Sequence, residues 1–225
     1  MIDYSKLDAT KKAVEIGIGT GQATTPILET GCSVTAIELG NRLGSYSKNK
    51  FSTYEKFEIH NLSFEDYSHT PESIDLIYSG TAFHWIPEEI GYQKVFDMLR
   101  SGGTLALFWN GPSGRENSAH KELQCIYNKY TPTENLVKDN QEKYNLVMES
   151  TGKYGFIDLE FKLRHQTRSF NAEDYISLLN TYSDHRMLPD DIKEVFYDEI
   201  KGVINKHGGV FILNDTMDLY LAKKP

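Results

Sequence analysis

Three glycines at alternate positions, Gly17, Gly19 and Gly21, follow the acid Glu15 at the end of a short apolar run that begins at Ala13. A second run, Ser33–Ile37, leads into another acid, Glu38, seventeen positions after Gly21. These residue types suit the binding of a nucleoside. Glycine permits positive φ and lets a ligand approach the backbone closely, and three in succession after a strand are entropically costly unless something makes that approach. A carboxylate at the tip of a second parallel strand is placed to accept hydrogen bonds from a ribose diol. Farther along, His84 and Trp85 follow a fourth apolar run, and Tyr182, His185 and Arg186 fall in a polar cluster after a predicted helix. Histidine titrates near neutrality and can act as a base, and the planar fork of arginine pairs with a carboxylate. Trp85 is expected to pack its loop against the core, and His84 is open between base and packing residue. The cluster at 181–186 is open between substrate recognition and helix-end capping.

Such residues need a frame that lines up strand ends. Strand candidates at 13–16, 34–38, 57–60, 74–78 and 104–109 alternate with helical patterns, and two later stretches, 156–164 and 210–221, are β-like. This alternation favours a mainly parallel, doubly wound α/β sheet. Residues 23–29 can start a helix, with Pro26 near its first turn and Gly31 at its end. Pro87 opens a crossover helix that Gly102 and Gly103 are expected to stop, and further helical patterns run over 172–180 and 190–205. The polar stretch 111–152 breaks the alternation. It contains a helix-like segment at 119–130 and reads either as an insertion serving as a lid or as a solvated helical pair.

The chain has 225 residues, enough for one α/β domain spanning 1–225 with an elaboration and a real core. A net charge of −8 disfavours a partner held by phosphate neutralisation, so no nucleic acid is expected. The best apolar run, 104–109, is far short of a membrane span, and Met1-Ile2-Asp3-Tyr4 lacks the start of a signal peptide. Two cysteines, Cys32 and Cys125, are too few for a disulfide framework or a metal site. The expectation is a cytoplasmic protein that binds neither metal nor membrane.

Two cofactor classes use a glycine turn followed by a strand-end acid, dinucleotides and S-adenosylmethionine. The dinucleotide pattern G-x-G-x-x-G requires glycine at 22 if it starts at Gly17, and at 24 if it starts at Gly19; these positions hold Gln22 and Thr24. The segment from Glu15 to Thr24 instead resembles the first motif, E/D-x-G-x-G-x-G, of the class I S-adenosylmethionine-dependent methyltransferases, and Glu38 matches their acid after the second strand. The resemblance continues through Phe64-Glu65-Asp66 and through 73–86, which is similar to the fourth-strand segment of a small-molecule branch that includes ubiquinone-biosynthesis-type and trans-aconitate-type enzymes.

The resemblance implies a Rossmann-like, seven-stranded, mostly parallel sheet whose last two strands form an antiparallel edge hairpin. It implies S-adenosylmethionine as cofactor and methyl transfer to a small-molecule acceptor by in-line displacement. The carried-over binding residues are Glu15, Gly17, Gly19 and Gly21 at the methionine part, Glu38 at the ribose, and Leu39, Ser63 and Phe64 at the adenine. Ser79 and Gly80 would lie near the methionine group and the sulfonium. Asn61-Leu62-Ser63-Phe64 supplies no acid where relatives carry one, which shifts adenine recognition to backbone groups and apolar packing. Tyr78-Ser79-Gly80-Thr81 lacks the N/D-P-P-Y motif of amino-directed DNA and protein methyltransferases, which counts against nucleobase or glutamine substrates. Met1 to Lys12 is shorter than the N-terminal helical cover of such relatives. The site is therefore expected to be open, covered by 111–152, completed by a partner in a homo-oligomer, or cut short by a truncated reading frame. Two other functions stand beside methyl transfer: a methyltransferase-like binding protein without turnover, and a nucleotide-dependent oxidoreductase.

Overall fold

The computed structural model describes residues 1–113, 118–130 and 140–225. Strands β1 (Lys12–Ile16), β2 (Ser33–Ile37), β3 (Phe57–His60), β4 (Ile74–Gly80), β5 (Leu99–Ser113), β6 (Ile157–Phe170) and β7 (Phe211–Lys223) form one sheet in the order β3-β2-β1-β4-β5-β7-β6. The first five pair in parallel. The last two run against their neighbours. Gly102 N–H donates to Lys224 O while Lys224 N–H donates to Gly103 O, joining the end of β7 to the start of β5. Between β6 and β7, His165 pairs with Thr216 and Thr167 with Asn214, so one number rises as the other falls. The expected antiparallel edge is present.

The described residues fall into two compact units. One comprises 1–110, 140–163 and 218–225, the other 111–113, 118–130 and 164–217. In the first unit β1 is buried along almost its whole length, as a central parallel strand must be. β1, β4 and β5 send side chains alternately to two cores: Val14, Ile77, Leu105 and Leu107 to one, Ala13, Leu76, Tyr78 and Ala106 to the other. Helices α1 (Ile2–Ser5), α2 (Thr24–Leu28), α3 (Asn41–Lys50) and α4 (Glu88–Met98) belong to this unit. The strand order reverses direction between β1 and β4, which leaves a crevice at their carboxyl ends.

The end of α4 departs from expectation. The helix stops at Met98, and Leu99 is already extended and pairs with Ile74. The register then jumps so that Leu76 faces Thr104, and residues 100–103 bulge out, with Gly102 at φ 72. Gly102 and Gly103 therefore shape a bulge in β5 rather than cap a helix.

The second unit is built on α5 (Ser118–Tyr130), α7 (Ala172–Leu179), α8 (Ser183–Arg186) and α9 (Asp190–Lys206), with the adjoining halves of β6 and β7. Helix α6 (Asn140–Lys153) belongs to the first unit, so the stretch 111–152 contributes one helix to each; residues 114–117 and 131–139 lie outside the described residues. The Asn171 side chain caps α7 by accepting from Asp174 N–H at 2.8 Å. Tyr175, Ile176 and Leu179 then pack with Phe196, Ile200 and Ile204 of α9. Among the described residues no helix is long and apolar enough to cross a membrane.

Candidate active site

The loop after β1 closes against the loop after β4. Gly17 sits at φ 73, and a Cβ placed on it would collide with the Cβ of Ala82. Both sterics and conformation therefore require glycine there. Gly19, at φ 55, differs in that a Cβ on it would meet nothing within 4 Å. Its side-chain direction is open space in front of the backbone. Gly21 is a packing position, because a Cβ there would strike the Phe51 ring.

The two acids have different tasks. Glu15 is 2% exposed, and its Oε2 accepts from Thr24 Oγ1–H at 2.6 Å and from the Tyr78 hydroxyl at 2.9 Å. Burial pushes its carboxyl up to about 7, against the pull of those two hydroxyls. Burial, followed by the Glu15 charge, also holds the Tyr78 hydroxyl well above its ordinary value. Glu38 lies at the end of β2. Its Oε2 accepts from Gly19 N–H at 2.9 Å and its Oε1 from Gly40 N–H at 2.8 Å. Each of these oxygens has a second lone pair for another donor.

A cavity of about 430 Å³ opens at these strand ends, a size ordinary for a small-molecule site. Gly17, Gly19, Glu38, Leu39, Ser63, Phe64 and Gly80 line it, so seven of the sequence-derived binding residues meet at one place. Glu15, Gly21 and Ser79 are not in its wall. Ser79 is fully buried and donates through Oγ to Ile16 O at 2.9 Å, tying β4 to β1. Ser63 Oγ–H donates to Asp66 Oδ2 at 2.8 Å and accepts from Asp66 N–H at 3.1 Å, which shapes the turn that presents Phe64. Leu39 is 74% exposed at the cavity edge.

Several wall residues escape sequence reasoning. Thr81 holds a left-handed backbone at φ 56, and Ala82, Leu62, Glu65 and Ile86 line the cavity with it, as do Ile16 and Ile37 at the ends of β1 and β2. The left-handed Thr81 is the kind of strained position that clusters at binding sites, but its signal lies in φ, which a residue type does not reveal.

Trp85 corrects the expectation of a packing role. A 3₁₀ turn over Phe83–Trp85 sends Phe83 inward, edge-on to Tyr92 at 5.0 Å between centroids, and leaves Trp85 75% exposed in the cavity wall. His84 accepts at Nδ1 from Trp109 Nε1–H at 3.0 Å.

Tyr182, His185 and Arg186 belong to the second unit. His185 is buried, stacked on Phe196 at 5.4 Å and on Tyr197 at 5.9 Å, with Tyr127 Oη 3.3 Å from its Nε2. Tyr182 is exposed at α8, its ring edge-on to His185 at 6.1 Å. Among the described residues no three His, Cys, Asp or Glu side chains gather as a metal site would require.

A family profile described as a methyltransferase domain matches residues 14–107, the stretch that carries β1, β4 and the cavity between them. The chain is 26% identical over 208 residues to an uncharacterised methyltransferase of Schizosaccharomyces pombe, covering 90% of this chain and 77% of that one. Residues 14–107 thus carry a methyltransferase domain. S-adenosylmethionine is the cofactor that goes with it. The fold is also shared with a Bacillus halodurans protein described as a methyltransferase, at TM-score 0.63 and 18% identity over 100% of this chain and 96% of that one. A Haemonchus contortus phosphoethanolamine N-methyltransferase 2, solved with phosphomonomethylethanolamine and S-adenosylhomocysteine, has TM-score 0.59 and 15% identity. The domain's chain is covered completely in that comparison and spans 51% of the Haemonchus chain.

The cavity suits this cofactor on its own chemistry. Open space in front of Gly19 gives a ligand direct access to backbone, the Glu38 carboxylate faces the same space, and Leu39 and Phe64 supply apolar surface.

Proposed function

We propose that this chain transfers the methyl group of S-adenosylmethionine to a small-molecule acceptor. The observation that carries the reading is the cavity in which the Gly17–Gly19 backbone and the Glu38 carboxylate meet. In it, Glu38 accepts hydrogen bonds from the ribose hydroxyls, while Leu39 and Phe64 flank the adenine and Ser63 fixes the loop beside it. The Gly17, Gly19 and Gly80 backbone borders the methionine part. Glu15, Gly21 and Ser79 act through the loops that they hold. Bound S-adenosylmethionine supplies a methyl group made electrophilic by its sulfonium. What the protein adds is alignment of the acceptor and exclusion of water, with Trp85 and Ile86 as apolar wall. A carboxylate acceptor needs no base, whereas a protonated phenol or amine does.

The test is calorimetric titration of the full chain with S-adenosylmethionine, S-adenosylhomocysteine and NAD in parallel. Binding of both adenosyl-sulfur ligands without NAD is the expected result, followed by methyl transfer in a screen of carboxylate, phenol and amine acceptors. Selective NAD binding would overturn the reading in favour of an oxidoreductase. Binding without transfer to any acceptor would leave a binding protein.

A further inference from the structure

The hydrogen bond from Trp109 fixes the chemistry of His84. An indole nitrogen only donates, so the Nδ1 that accepts from it at 3.0 Å is unprotonated, and the proton of the neutral imidazole sits on Nε2. Trp109 cannot easily turn away. The Tyr220 ring meets it edge-on at 5.7 Å, and Lys143 Nζ lies 5.6 Å from its ring centroid. Lys143 in turn pairs at 3.5 Å with the buried Asp218, which accepts from the Tyr220 hydroxyl at 3.0 Å. Lys143 and Asp218 are thus the charged groups beside this aromatic set. Burial first, and the Lys143 ammonium second, hold the His84 pKa below the ordinary histidine value.

A base acting through this ring would have to receive its proton at Nε2, which already carries one. That Nε2 makes no hydrogen bond to a described residue. His84 is exposed and is not itself in the cavity wall, but it stands on the turn between Ala82 and Trp85, which are, with its ring 4.9 Å from the Trp85 ring. We propose that His84 is a specificity-determining residue, a fixed donor that presents Nε2–H to a carboxylate or carbonyl oxygen of the acceptor, and not the base that deprotonates it. The proposal rests on the methyl-transfer reading. With a carboxylate acceptor the balance closes without a base: an oxygen lone pair forms the new C–O bond, the C–S pair returns to sulfur, the two charges cancel, and no proton moves.

Side-chain ¹⁵N NMR of the full chain, recorded without cofactor from about pH 5.5 to about pH 8.5, tests the tautomer across the histidine range. The expected spectrum has His84 Nδ1 unprotonated and Nε2 protonated around neutrality. In Trp109→Phe, which keeps the ring but removes the donor, the two nitrogens should share the proton and titrate at higher pH. An Nδ1–H tautomer in the wild type, or a Trp109→Phe spectrum identical to it, overturns the proposal. The donor role is tested by titrating benzoate and benzylamine into protein saturated with S-adenosylhomocysteine, following the Trp85 indole signal. Benzoate should bind, His84→Gln should retain it within about threefold, and His84→Leu should weaken it about tenfold or more. No response to benzoate, or equal responses to benzylamine, would remove the donor role. Failure of S-adenosylhomocysteine to bind in calorimetry would instead strike the underlying reading, since the tautomer is measured without it.

Discussion

The cavity region of the first unit and the aromatic cluster of the second spend their polar groups in opposite ways. Around the cavity, buried hydroxyls and carboxylates are spent on one another and on the backbone: Thr24 and Tyr78 hold Glu15, Ser79 ties β4 to β1, and Glu38 receives two loop N–H groups. The wall that remains is glycine backbone, the carboxylates of Glu38 and Glu65, the side chains of Ser63 and Thr81, and an apolar rim. In the second unit the chemically versatile side chains are absorbed by packing. Phe196 is fully buried with Tyr127, Tyr130, His185 and Tyr197 against its ring, and Arg168 Nε–H is spent on the buried Asp215 at 2.5 Å. Reactive residue types thus do not by themselves mark a site. What their neighbours leave unspent does.

The contrast can be broken most severely at Phe196. Phe196→Ala should cost about 3–5 kcal/mol of stability by opening a cavity in that cluster, measured by urea denaturation; a cost under about 1 kcal/mol would mean that the cluster is not a core. At Gly19 the expected loss is of ligand rather than fold. Gly19→Val should weaken S-adenosylmethionine binding more than about a hundredfold in calorimetry, while strain at positive φ costs only about 1–2 kcal/mol of stability. Normal binding by this variant would misplace the cofactor loop.

Glu15 sharpens the comparison through pH. Its carboxyl ordinarily titrates at 4.5 and in the fold at about 7, so between these values the unfolded chain holds fewer protons. Stability should therefore fall as pH rises through that window, by up to about 3 kcal/mol, and level off above it. Glu15→Gln should flatten the slope, leaving it more stable than the wild type at about pH 8 and similar at about pH 4.5; urea midpoints at the two pH values decide. The smallest effect is expected at Glu38. Glu38→Ala should weaken S-adenosylmethionine by about 1–3 kcal/mol through loss of charge-assisted hydrogen bonds. Unchanged affinity would remove Glu38 from the site.

Much of this frame was legible because parallel strands buried on both faces announce themselves as apolar runs. The windows at 13–16 and 74–78 fall within observed strands, while the edge strand β3 matches 57–60 only through the alternation of Phe57 and Ile59 with Glu58 and His60. β6 continues to Phe170, beyond the β-like stretch that ends at Arg164, because it is an exposed edge strand with no hydrophobic alternation to mark its end. Helix α3 gave little signal, since Ser, Asn and Lys dominate it and only Gly44 and Ser47 are buried. At the site, local spacing sufficed for the glycine loop and Glu38. It could not supply the partner of Glu15, Tyr78, which stands sixty-three residues away, nor Trp109, which decides the tautomer of His84 from twenty-five residues away. Trp85 was misread because a 3₁₀ turn exchanges the inward and outward positions of neighbouring aromatics.

The contact between Gly17 and Ala82 has a consequence for how such a chain can drift. Because a Cβ at 17 would occupy the place of the methyl at 82, the two positions behave as one heritable character. A lineage cannot enlarge position 17 alone, and an alanine there becomes admissible on steric grounds only in a background that already carries glycine at 82, with the strain of its positive φ still to be borne. The two positions stand sixty-five residues apart, so nothing local in the sequence shows that they are coupled.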